Sequence, residues 1–117
     1  MVQQSTFWLS PTPDSISKGW DAAIVRVCTY GLFKDKKTKQ LFWVLNSHFD
    51  HVGKVARFES AKLITQKIEA LNTNNYPVIL TGDFNSRPED APIQHLSGKM
   101  KNARNISKIV YGPADTW

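Results

Sequence analysis

The stretch "YPVILTGDFNSRPED" (76–90) places a carboxylate and an amide two residues apart, just where an apolar run leaves the core. "YPVI" suits only a buried strand, and its continuation "LTGDFNSRPED" (80–90) crowds glycine, acid, amide, arginine and proline together. Two readings of Asp83 and Asn85 stand side by side. In one they shape a turn, because Gly, Asp, Asn, Ser and Pro each favour turns for a backbone reason. In the other they are aimed at a ligand. The segments upstream set the geometry in which to choose.

Immediately before lies a helix. From 56 to 71, Ala61, Ile64, Ile68 and Leu71 recur at helical spacing, with Glu59, Lys62 and Glu69 turned largely away. "NTNNYP" stops it, and "VILTGD" (78–83) comes next as a short strand, apolar on both faces. Ahead of the helix, "LFWVLNSHF" (41–49) reads as another strand. Strand, helix, strand is a βαβ unit, so 41–49 and 78–83 are expected to run parallel through a right-handed crossover. "DAAIVRVCTYGLF" (21–33) reads as an internal strand, antiparallel to 41–49 across the polar hairpin turn "KDKKTKQ". "TFWL" (6–9) is a short strand ended by the prolines of "SPTPDS", and a short helix is expected after Pro88, with "APIQHL" near its middle. The fold class is α/β.

Ligand sites in such sheets lie off the carboxyl ends of the strands. His48 and Asp83 therefore open onto one edge. Arg57 sits on the helical stripe of Ala61 and Ile64, at the first turn, where an apolar residue belongs; it either pairs with a buried carboxylate or points at an anion. With Asp50, His51 and Asn85 the group suits hydrolysis of a phosphate ester. Asp83 can orient and deprotonate a water. Asn85 can donate to a developing oxyanion or lend an oxygen to a hard metal. A histidine can stabilise phosphoryl charge, and a divalent metal would supply the rest. Taken singly, His48 also reads as a satisfied sheet histidine, His51 as an exposed loop residue and His95 as structural or exposed. A zinc site built on His48 and His51 lacks a clear third ligand, since Cys28 offers none.

Bulk properties bound these readings. At 117 residues the chain is one domain or part of one, and 41% hydrophobic with 21% charged residues excludes a disordered chain. No apolar run approaches a bilayer span, and the N-terminus has neither the basic start nor the apolar core of a signal peptide. Cys28, being single, forms no internal disulfide and reads as a small buried side chain. A net charge of +5 favours polyanions. Part of it lies in "KDKKTK" (34–39), which reads as a solvated hairpin tip, and part in "GKMKNARNISK" (98–108), either a solvated or a binding surface.

"LNSHFDHVGKVAR" (45–57) followed by "VILTGDFNSRP" (78–88) resembles the endonuclease/exonuclease/phosphatase superfamily, the DNase I-like group of nucleases, deadenylases, sphingomyelinases and inositol polyphosphate phosphatases. "FWLSPTPDSISKGWDAAIVRVCTYGLF" (7–33) and "YGPADTW" (111–117) are similar to flanking segments of a bacterial branch of that group. The resemblance implies an α/β sandwich of two packed mixed sheets flanked by helices, acting as a magnesium-dependent phosphoesterase, with manganese as a substitute. By motif, His48 is similar to the histidine that contacts the scissile phosphate. Asp83 matches the aspartate that activates the attacking water, and Asn85 its phosphate-binding partner, both on the metal side of the site. His51 and Arg57 match the branch pattern as phosphate-binding residues, Asp50 matches it without an assigned role, and Trp20 and Asp21 match it in a packing role.

The same resemblance implies an asparagine and a metal-binding glutamate ahead of "FWLS" and a Ser-Asp-His motif near the C-terminus. Neither is found, and Glu59, Glu69 and Glu89 stand in the wrong context. Residues 1–117 are thus expected to be a partial domain, a central fragment with little or no catalysis of its own. The implied partners are phosphate esters, either nucleic acid or a phosphorylated small molecule. The alternative is a catalytically dead basic module that binds nucleic acid or phosphorylated ligands. Compartment stays open, because a preceding region could carry a signal peptide.

Overall fold

The computed structural model describes residues 1–108, so the "YGPADTW" segment lies outside the described residues. Four strands and three helices occur in the order β1 (Gln3–Trp8), β2 (Val27–Lys34), β3 (Leu41–His48), α1 (Lys54–Leu71), β4 (Val78–Asp83), α2 (Ala91–Lys99) and α3 (Ala103–Ile106). The hairpin between β2 and β3 closes where the polar run requires. Asp35 Oδ1 accepts from the backbone N–H of Lys37 and Thr38, both at 2.8 Å, and Asp35 N–H donates to Gln40 O at 2.8 Å. The lysines of "KDKKTK" are thereby a solvated tip at the end of the sheet remote from His48.

The strands form one mixed sheet in the order β1-β2-β3-β4. β1 and β3 each run antiparallel to β2, and β3 runs parallel to β4 across α1, as the βαβ reading requires. Alternation along the strands sends Phe7, Cys28, Leu32, Trp43 and Leu45 to one face, where Ala61 and Ile64 of α1 and Leu96 of α2 close the core. Phe7, Tyr30 and Trp43 carry an aromatic row across β1, β2 and β3, with successive ring centroids 6.0 Å apart. The other face holds Val27, Thr29, Asn46, His48, Ile79, Thr81 and Asp83, all exposed. No described helix is long and apolar enough to cross a membrane.

Several expectations are corrected. The strand read over 21–33 begins only at Val27, because the backbone of residues 23 and 24 bonds to a side chain instead of a neighbouring strand. β4 is not a buried strand. It lies at the sheet edge among the described residues; Val78 and Leu80 pack inward while Ile79 is 48% exposed. Apolar residues on both faces of these strands therefore do not mean burial on both faces here. "APIQHL" opens α2 instead of centring it, and α3 has no periodic apolar signal to announce it.

At Gly82 the backbone takes φ +140°, and a Cβ there would lie 1.8 Å from Ser47 O on the paired strand. Gly82→Ala is expected to cost more than about 4 kcal/mol in urea unfolding, since it combines backbone strain with an unrelievable clash. Burial pushes the Cys28 thiol from 9.0 up to about 12 against a small opposing backbone contact. Its contribution to stability is present in full below pH 9 and lost as the pH rises from there through about 12. Stability curves of wild type and Cys28→Ala should therefore diverge in slope only above pH 9, and a thiol reagent at pH 8 should modify Cys28 no faster than the chain unfolds.

Candidate functional site

Parallel pairing places His48 and Asp83 opposite each other at the carboxyl ends of β3 and β4. His48 Nε2 lies 3.5 Å from Asp83 Oδ2, and the two side chains are 56% and 47% exposed on the open sheet face. Beyond the strands the two chains stay joined. Phe49 N–H donates to Asp83 O at 2.8 Å, and Asn85 Nδ2 donates to Phe49 O at 2.7 Å. Asp83 Oδ1 accepts from Asn85 N–H at 2.9 Å, closing a turn in which Asn85 takes φ 46°, a conformation asparagine tolerates. Phe49 and Phe84 pack edge to face beneath, at 5.1 Å.

The turn reading of "GDFN" is realised, and it leaves part of each side chain uncommitted. One Asp83 oxygen shapes the turn while the other faces the imidazole and solvent. Asn85 commits one amide hydrogen to Phe49 and keeps its Oδ1 and second N–H.

Below this pair sits Asp50, 1% exposed. Its Oδ2 accepts from the backbone N–H of Gly53 at 2.8 Å, Ala23 at 3.0 Å and Val52 at 3.0 Å. Its Oδ1 accepts from Ile24 N–H at 3.4 Å and lies 3.5 Å from Arg26 Nε. Burial pushes this carboxyl up, but the four backbone donors outweigh it and hold the group well below the usual carboxylate range.

The remaining candidate residues have partners of their own. Among the described residues Arg57 makes no ion pair with a carboxylate; its Nη1 donates to Asp50 O at 3.0 Å, clamping the main chain. His51 is exposed, with Nδ1 3.0 Å from Arg26 Nη2. Arg26 was not foreseen; its signal is a lone cation inside the apolar run "AAIVRVCTY". Asp21, read as a packing residue, caps α1, accepting from Ala56 N–H at 2.7 Å and Val55 N–H at 3.3 Å. It does so because the N-cap, Gly53, has no side chain, and a Cβ there would meet Asp21 Oδ1 at 2.5 Å. His95 bonds Thr65 Oγ1 at 3.0 Å and packs on Phe58, joining α2 to α1, which is a structural role.

Asp83 and Asn85 offer hard oxygen donors suited to magnesium, which binds through one or two carboxylates and retains waters. Among the described residues no group of three or more His, Cys, Asp and Glu converges on a metal position, so the zinc reading finds no third ligand there. Within 98–108, Lys99 lies 3.6 Å from Glu69, and Asn102 caps α3.

No protein-family profile matches the sequence. The chain is similar to an endonuclease/exonuclease/phosphatase family protein of Bacteroides thetaiotaomicron, at 46% identity and TM-score 0.80 over 84% of this chain and 36% of that one. A mannosyl-6-phosphatase of the same organism matches at 46% identity and TM-score 0.80, over 84% of this chain and 37% of that one. An uncharacterized protein of Acanthamoeba polyphaga mimivirus is 34% identical over 82 residues, 68% of this chain and 30% of its own length. The chain thus spans about a third of the length of these relatives.

Because the folded-state value of Asp50 lies below the ordinary 3.8, its contribution to stability is present above about pH 4 and lost as the pH falls below that. Asp50→Ala is expected to cost roughly 3–5 kcal/mol at neutral pH, through Arg26 and four stranded backbone donors. In chemical denaturation the gap between wild type and variant should shrink steadily below pH 4; an unchanged gap would remove Asp50 from this role.

Proposed function

The chain belongs to the endonuclease/exonuclease/phosphatase superfamily, and we propose that its β3–β4 strand end is the water-activating side of a metal-dependent phosphoesterase site. The observation that carries this reading is the contact of His48 Nε2 with Asp83 Oδ2, 3.5 Å apart at adjacent parallel strand ends and open to solvent. Asp83 accepts a proton from water as the water oxygen bonds to phosphorus, and the ester P–O bond breaks to release an alcohol that takes its proton from solvent. His48 donates to a phosphoryl oxygen and stabilises its growing charge. Asn85, fixed through Phe49, presents its remaining amide groups to the same phosphate.

Magnesium, or manganese in its place, would be held by Asp83 and Asn85 with donors outside the described residues, and when bound supplies neutralisation of phosphoryl charge. With only these two donors among the described residues, residues 1–117 alone are expected to turn over little or no substrate. Identity of 46% to a mannosyl-6-phosphatase makes a sugar phosphomonoester the first substrate class to test, ahead of nucleic acid phosphodiesters. A second reading, a basic module that binds nucleic acid or phosphorylated ligands without turnover, draws on the net charge of +5.

A chimera separates the two readings. Residues 1–108 replace the matched segment of the Bacteroides thetaiotaomicron phosphatase, and hydrolysis of mannose 6-phosphate and of bis(p-nitrophenyl) phosphate is monitored with magnesium. The phosphoesterase reading expects turnover that Asp83→Asn and His48→Ala each lower by about a hundredfold or more. A folded chimera that binds these ligands without turnover, or whose turnover ignores Asp83→Asn, points to the binding module instead.

A further inference from the structure

Arg26 lies where the buried Asp50 cluster meets the open sheet face. Its side chain is 12% exposed, and it lines a cleft of about 220 Å³ whose wall also includes Thr29, Asn46 and His48. Within the cluster its Nε lies 3.5 Å from Asp50 Oδ1, while its Nη2 lies 3.0 Å from His51 Nδ1.

A guanidinium carries donors only. His51 Nδ1 must therefore accept, and in the neutral ring the proton sits on Nε2. The chain of restraint is complete: four backbone N–H groups hold the Asp50 carboxylate, the carboxylate holds Arg26, and Arg26 holds the imidazole. Arg57 clamps the carbonyl of Asp50, the residue directly before His51, so the backbone that bears the ring is fixed as well. His51 is itself exposed, so this arrangement delivers to solvent an imidazole of defined tautomer. A histidine that merely covered Arg26 would need no such order.

We propose that Arg26 is a positioning residue that holds His51 as the Nε2–H tautomer, so that this N–H donates to a second oxygen of the phosphate whose first is bound at His48. The inference rests on the strand end being a phosphoester site, and it adds the anchoring of His51 by Arg26. Two imidazole donors on one phosphate orient the tetrahedron as well as bind it, which a single donor cannot do.

The test uses the 117-residue chain and needs no turnover. Long-range ¹⁵N–¹H spectra of the histidine rings, recorded at alkaline pH, report each tautomer, and titration with inorganic phosphate reports which rings it touches. The expected result is a single Nε2–H tautomer for His51 and phosphate-induced shifts at both His48 and His51. Arg26→Lys, which keeps a cation beside Asp50 but loses the planar fork, should leave a mixture of tautomers and weaken phosphate about tenfold, the loss of one charge-assisted hydrogen bond. His51→Ala should weaken phosphate equally with little change in thermal midpoint, and the double variant should be no weaker than either single one. Because His51 is exposed, that variant keeps the test decisive even where Arg26→Lys unfolds. Phosphate shifts at His48 alone or at neither ring, or a mixed tautomer in wild type, overturn this inference; the phosphoester reading is decided separately, by turnover of the chimera.

Discussion

A carboxylate with almost no contact with water organises this protein. Asp50 draws backbone N–H groups from two separate segments, residues 23–24 and 52–53, onto its two oxygens. Few arrangements satisfy a buried charge so fully, and leaving it unsatisfied would cost far more than any surface contact returns. The consequences spread outward. The loop before β2 is pulled out of the sheet, α1 starts where Gly53 can approach Asp21, and Arg26 and Arg57 converge from that loop and from α1. Asp50 thus acts as the knot that ties the end of β3 to the first turn of α1 and the entry to β2.

Above this knot the chemistry depends on register. A parallel pair brings equivalent ends of two strands together, so His48 and Asp83 become neighbours without any special turn. Gly82 permits the approach, and the ladder runs on past the strands through Phe49 and Asn85. Asn85 is placed by a carbonyl and Asp83 by its own turn, so both groups reach solvent with little rotamer freedom left to lose on binding. The exposed side of the sheet carries this site together with a polar row, in which Thr6 bonds Thr29 and Thr81 bonds Asn46 across paired strands. The covered side carries the apolar core. The proposed site and the apolar core are therefore split between the two faces of one sheet.

Much of this was legible in the residues. Alternating and helical apolar periods have few physical solutions, and the order strand, hairpin, strand, helix, strand leads directly to the mixed sheet and to His48 facing Asp83. The solvated tip at 34–39 was evident from charge density and turn chemistry. Less visible were the features that depend on one face being open, since Val25, Val27 and Ile79 have the composition of buried strand residues but are exposed. Hydrophobic composition records what a face can be packed against, not whether it is packed.

What the sequence by itself determined was local and periodic: which segments extend, which coil, where they stop, and that a carboxylate, an amide and a histidine meet at one sheet edge. Only the tertiary structure decided what each polar group does there. Asp50 became a buried anchor, Arg57 a clamp on a carbonyl, Arg26 the holder of His51, and Asp21 the cap of a helix more than thirty residues away. The reason is physical. Apolar burial is additive along a chain and so can be read as a pattern, whereas a hydrogen bond is made with whichever partner the fold brings within about 3 Å, and sequence separation carries no information about that.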